Sequence, residues 1–229
     1  MMILLTLIRE HWALTGFTVL LGLILVSPVF LGAVLIRERQ VGVVVKRFGG
    51  LSLPPGRLVA LNGEAGYQAD TLAPGLHFGY FRWQYRILKT PVTVIPQGEV
   101  ALVVAADGCS APADRILGKV VECDNFQNAR QFLTNGGEKG RQLALLTAGT
   151  YRINRALFSV ITAATASEHG MMPEQLLLHR VEPDMVGIVT TLDGRPIEAG
   201  EIAGPVVPGH ENFQNGLATE PPADWRASG

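Results

Sequence analysis

The chain has 229 residues, with 19 Lys and Arg against 20 Asp and Glu, for a formal net charge of −1. That balance provides no broad positive field and excludes general nucleic-acid binding. The only two cysteines, Cys109 and Cys123, have no counterparts at the matching places of the repeat described below, where Arg195 and His210 stand, which argues against a disulfide framework or a zinc site.

In chain order, the first feature is apolar. Residues 12–36 carry no charge over 25 consecutive positions, and a bilayer-spanning helix needs about 20. The reading is a single-pass transmembrane helix over 12–36, with Trp12 at the interface, Leu23 at mid-depth, Pro28 as a tolerated kink and Ile36 at the end. A cleaved signal peptide would have a shorter apolar core. Residues 1–11 form a short tail. Arg37, Arg39, Lys46 and Arg47 follow the apolar run and outnumber the basic groups before it. They set a cytoplasmic body at a cell membrane, and they could meet anionic lipid headgroups.

The body repeats itself. Residues 40–50 read QVGVVVKRFGG, 99–109 read EVALVVAADGC, and 185–195 read MVGIVTTLDGR. Each is a β-branched run closed by glycine, so three equivalent strands are expected. Residues 63–75 (GEAGYQADTLAPG) and 137–149 (GEKGRQLALLTAG) share glycine, glutamate, glutamine and leucine at identical offsets, and NFQN occurs at 125–128 and 212–215. A tandem β-rich module follows. Gly49, Gly75, Gly108, Gly149 and Gly194 are its expected turn glycines.

Between these units the pattern predicts strands over 41–47, 86–95, 100–105, 116–121, 142–146, 150–161 and 186–192, and over 72–81 a Pro-Gly turn followed by alternation that puts Leu76, Phe78 and Tyr80 on one face of a strand. Loops fall at 49–56 and 163–170, and residues 172–180 read as a strand or a helical turn. Only 125–135 has helical spacing, with Phe126, Ala129, Phe132 and Leu133 apolar and Asp124 or Asn125 as the cap. The fold class is therefore α+β and β-dominated: a transmembrane helix, then tandem β-rich modules with a short helix. Residues 37–162 form the first module, 163–215 a second, incomplete one, and 216–229 a disordered tail.

No motif carries chemistry. NGGEKG at 135–140 lacks the spacing of a phosphate-binding loop, and no nucleophile elbow occurs. His77, His169, His179 and His210 are scattered. Asp107 and Asp193 each precede a glycine and read as turn formers. The expectation is a non-enzyme with no catalytic residue, cofactor or metal.

The ordered series of apolar run, VGVVVKRFGG, LAPGLHFGYF, PQGEVALVVAADG and GRQLALLTAGTYRINRALFSV resembles the SPFH or band-7 superfamily (stomatin, prohibitin, flotillin), above all bacterial flotillin-like proteins, over about residues 34–215. The resemblance implies a membrane-anchored, non-catalytic scaffold that organises microdomains by self-association, with the lipid bilayer and a membrane protease or transporter as possible partners. It leaves open an accessory subunit of such a protease or transporter, or an extracytoplasmic adaptor of a secretion or efflux complex. Members continue into a long helical region that this sequence lacks. The third unit also stops short of its closing elements, so truncation is expected.

Overall fold

The computed structural model describes residues 12, 14, 16–22, 32–112, 115–190, 197, 199–204 and 209. Two β modules follow one another, built on one plan. In the first, β1 (Val34–Ile36), β2 (Gln40–Lys46), β3 (Val59–Ala60), β4 (Gly66–Leu72), β5 (Gly75–His77) and β6 (Tyr85–Pro91) run in sequence. β2 lies between β4 and β6, β3 joins the outer side of β4, and β1 pairs antiparallel with β5. The second module repeats this with β7 (Thr93–Ile95), β8 (Leu102–Ala105), a helix α1 (Ala129–Thr134), β9 (Gly140–Arg141), β10 (Gly149–Tyr151) and β11 (Phe158–Ile161).

The repetition extends to register. Val45 faces Tyr67 and Lys46 faces Gly66 in the first module; Val104 faces Arg141 and Ala105 faces Gly140 in the second. Gly42 opposite Leu72 is matched by the bridge between Ala101 and Leu146. β1 on β5 matches β7 on β10, with Val34 opposite His77 and Thr93 opposite Tyr151. A β-branched run makes the central strand because its branched side chains suit a pleated surface covered on one face.

One difference between the copies is an insertion. The strand after the central one pairs as Leu88 with Val43 in the first module and as Ile161 with Leu102 in the second, a spacing of 73 residues along the chain. Three residues further on, Pro91 opposite Gln40 is matched by Leu177 opposite Glu99, a spacing of 86, so the second copy holds 13 extra residues. They form two 3₁₀ turns, Ala163–His169 and Pro173–Leu176, which fold back so that Ala166 and Leu176 cover Ile161.

The two modules share a core. Val59 and Ala69 of the first are buried with Ala101, Val103, Leu146, Leu157 and the helix residues Phe132 and Leu133 of the second. Phe126, Phe132 and Phe158 pack as three aromatic rings with centroids 4.9 to 6.1 Å apart, two of the contacts edge-on, an arrangement favoured by their quadrupoles.

Several expectations are corrected. The transmembrane helix over 12–36 is not found: no helix among the described residues is long and apolar enough to cross a membrane. Its expected end is strand instead. Val34–Ile36 forms β1, and Ile36 is buried against Val44 and Leu72. An apolar run without charge satisfies a membrane and a sheet equally, and here β5 supplies ladder partners for its last three residues. Residues 12, 14 and 16–22 are helical, with Trp12 exposed; Leu23 and Pro28 lie outside the described residues. The fold class keeps its β-dominated part and loses the spanning helix, and the membrane and single-pass assignments lose their support.

The helix expected over 125–135 is shorter. Asp124, Asn125 and Phe126 have positive φ, forming a turn, and Asn128 caps α1 by accepting from Gln131 N at 3.0 Å. Residues 142–146 make bridges where a strand was expected, and 150–161 divide at a turn into β10 and β11. Residues 116–121 form only the bridge from Gly118 to Gln142. The third strand is not formed over its described part, 186–190, while Leu192 and Gly194 lie outside the described residues.

Candidate functional site

The repeated Gly-Glu-x-Gly-x-Gln unit is a clasp. In the first copy Gln68 Nε2 donates to Glu64 O at 2.8 Å and Gly66 O at 3.0 Å; in the second, Gln142 Nε2 donates to Glu138 O at 2.7 Å and Gly140 O at 2.9 Å. The glycine must be glycine, since φ is +119° at Gly66 and +108° at Gly140. The glutamate closes the neighbouring turn: Glu64 accepts from Asn62 N at 2.8 Å, and Glu138 from Lys119 N at 2.8 Å. Backbone hydrogen bonds from Glu64 and Asn62 hold the Glu64 carboxyl below the usual glutamate range. Four residues beyond each buried leucine's successor the chain is tied back again: His77 Nε2 lies 2.8 Å from Ala73 O, and Tyr151 Oη donates to Thr147 O at 3.0 Å. His77 thus has a structural counterpart, and its place is that of a loop tie.

Asp107 and Asn154 weld the modules. Asp107, 1% exposed, accepts from Leu58 N at 2.7 Å, Val59 N at 3.0 Å and its neighbour Gly108 N at 2.7 Å, with Arg57 3.9 Å away. Asn154 Nδ2 donates to Gln68 O at 3.0 Å and Ala69 O at 2.9 Å. At the rim, Arg130 grips Asp70 by donating from Nε to Oδ1 at 2.9 Å and from Nη2 to Oδ2 at 2.6 Å, which pushes the guanidinium pKa up. The sequence identified Asp107 as a turn former; its larger part is to anchor the first module's β3 to the second.

The other expected site residues do not converge. Arg37 and Arg39 are exposed in the turn closed by Gln40 N to Arg37 O at 3.0 Å. Lys46 turns inward, donating to Gly63 O at 2.6 Å, and Arg47 is exposed. Gly75 and Gly108 have positive φ; Gly49 and Gly149 do not, and are instead crowded by Ala65 N and the Tyr151 ring, 3.0 and 3.2 Å from where a Cβ would sit. Burial pushes the Cys123 thiol pKa up, and Cys109 is exposed and free. Among the described residues no group of three or more His, Cys, Asp or Glu is placed to hold a metal ion.

Two surfaces are left unfilled. The first is a groove of about 330 Å³ beside β7 and β11. Val92, Thr93 and Val94 line one wall, and Phe158, Ser159 and Val160 the other. Consecutive residues of a strand line a groove when it runs along the strand's edge, because a face presents alternate residues. Each strand has one ladder partner among the described residues, β10 for β7 and β8 for β11, so each presents a free edge. Arg155 stands at the groove without a carboxylate partner among the described residues, and no carboxylate lines it. Sequence reasoning missed this place. Its one signal is that Thr93 occupies the position of Val34, a hydroxyl where the other copy has a methyl.

The second surface is the run 181–190. The turn that delivers the chain into the central strand occurs three times: Gln40 N to Arg37 O, Glu99 N to Pro96 O, and Met185 N to Glu182 O at 3.0 Å. After the third, no strand pairs with 186–190 among the described residues, and Val186 and Ile188 are 92% and 93% exposed. Comparison with known proteins finds no match to any family model, curated protein or solved structure.

Proposed function

We propose that this chain is a non-catalytic scaffold of the SPFH-like kind, acting by association with further copies of itself through strand edges. The observation that carries the reading is the third version of the central strand. Its two relatives in the same chain are covered on both sides, while 186–190 presents its apolar side chains to solvent. Exposed β-branched segments of this kind add to free strand edges. The duplicated polar residues support the same reading, because Glu64, Gln68, Glu138 and Gln142 spend their hydrogen bonds on the chain's own turns. No bilayer-spanning segment is part of the proposal.

Light scattering of the purified full chain over a hundredfold concentration range tests it. The expected result is a mass that rises with concentration through a series of oligomers. A constant monomer mass, or a turnover abolished by His77→Ala with the fold intact, overturns it.

A further inference from the structure

We infer that the groove between β7 and β11 of one copy receives residues 181–190 of a second copy as an added strand. The inference rests on the self-association reading and names its site and its partner segment.

Three features meet in it. The first is edge and strand. Among the described residues β7 and β11 each offer an unpaired edge to the same groove, with backbone groups to which an extended segment can bond. Residues 186–190, VGIVT, are a strand sequence without a ladder among the described residues. Their counterparts 41–45 and 100–104 show what the pattern does when neighbours are available, since those runs pair on both sides.

The second is apolar fit. Val92, Val94, Phe158 and Val160 line the groove, and Val94 is 59% exposed. Val186, Ile188 and Val189 are the side chains that need cover.

The third is charge. Arg155 precedes the first residue of β11 by three positions and meets no carboxylate among the described residues. Glu182 and Asp184 lie on the exposed turn before the unpaired run. If the segment lies parallel to β11, the turn that carries Glu182 and Asp184 falls at the end of the groove where the turn before β11 carries Arg155. Thr93 and Ser159 add hydroxyls along the way.

The contact is heterologous: groove and segment are different surfaces of the chain, so each bound copy leaves one of each open. Such contacts propagate into rings or filaments. The occupant is the same chain, because its exposed run 181–190 carries together the carboxylates that complement Arg155 and the apolar side chains that suit the groove.

Disulfide trapping in the full chain tests the site. In a Cys109→Ser background, chains carrying Ser159→Cys are mixed with chains carrying Ile188→Cys under mild oxidant, and light scattering of the reduced proteins is read alongside. The expected product is a mixed dimer between the two variants, formed in preference to dimers of either variant alone and competed away by a synthetic peptide of residues 181–190. Arg155→Glu, on the exposed rim, should weaken association about tenfold or more by placing a carboxylate at the end of the groove that meets Glu182 and Asp184. Oligomers that trap only between two Ile188→Cys chains, or that are indifferent to the peptide and to Arg155→Glu, overturn the groove assignment and leave the scaffold reading standing. Chains that stay monomeric in the reduced state overturn both.

Discussion

Val41 and Val186 occupy matching places in two versions of one strand, yet the first is 1% exposed and the second 92%. Val43 and Ile188 differ in the same way, at 2% and 93%. The flanking turn is formed in both copies, so local sequence suffices for the turn. The strand needs more. In the first module β4 and β6 bond to β2 on either side, and β1 with Ile36 covers one face. A β-branched run is a statement about compatibility with a sheet, and neighbours decide whether the sheet exists.

The largest effect that sharpens this contrast comes from the core. Phe132→Ala empties the centre of the three-ring cluster shared by α1 and β11 and should cost about 3–5 kcal/mol in chemical unfolding. Ile188→Ala, at an equally apolar position of the unpaired run, should change the unfolding of dilute protein by less than about 0.5 kcal/mol. Equal losses would mean that 186–190 is packed in solution and would break the comparison.

The weld between the modules comes next. Asp107→Ala leaves the N–H groups of Leu58 and Val59 without their acceptor and Arg57 without its counter-charge, which should cost about 1–3 kcal/mol. Asn154→Ala should cost a similar amount by freeing the carbonyls of Gln68 and Ala69. The two groups grip β3 and β4 of the same module, so a double-mutant cycle should show coupling above about 0.5 kcal/mol. Strict additivity would mean that the modules separate without cooperative loss.

The repeat was legible in the sequence because it rests on residues with few substitutes: glycine at +119° and +108°, and a glutamine that must reach two carbonyls. The central strands at 41–47 and 100–105 were legible through β-branching. The apolar run ending at Ile36 was misread because hydropathy does not report ladder partners, and Val34–Ile36 finds its partner 39 to 43 residues away at Gly75–His77. The insertion after Ile161 was invisible, since its residues have no periodic pattern and their folding depends on Leu176 reaching the Val100 backbone. The groove was invisible for a related reason. Arg155, Thr93 and Ser159 are brought together by register across distant strands, and no spacing along the chain marks them.

The two clasps allow a finer comparison. Gln142 is buried at 1% while Gln68 is half-buried, though their bonds are the same. Water can replace a lost bond at Gln68 and not at Gln142. Gln142→Met should therefore cost about 1–3 kcal/mol, and Gln68→Met about 0.5–1.5 kcal/mol. The reverse order in urea unfolding would show that the first clasp carries more of the module than its exposure suggests.

The smallest effect concerns acid. The folded-state pKa of Glu64 lies below its ordinary 4.5, because N–H groups of Glu64 and Asn62 favour the carboxylate. A depressed folded pKa means that the unfolded chain binds the proton first as pH falls. The contribution of Glu64 is thus complete above the ordinary value and is lost on the way down through the folded one. In wild-type protein, part of the decline in stability between neutral pH and about pH 3 should come from this group. Glu64→Gln removes the titration, so its stability curve should run below the wild-type curve at pH 7 and converge on it toward pH 3. Thermal unfolding across that range reads the difference directly. Parallel curves would mean that Glu64 titrates alike in the folded and unfolded chain, and that the first clasp is held by Gln68 alone.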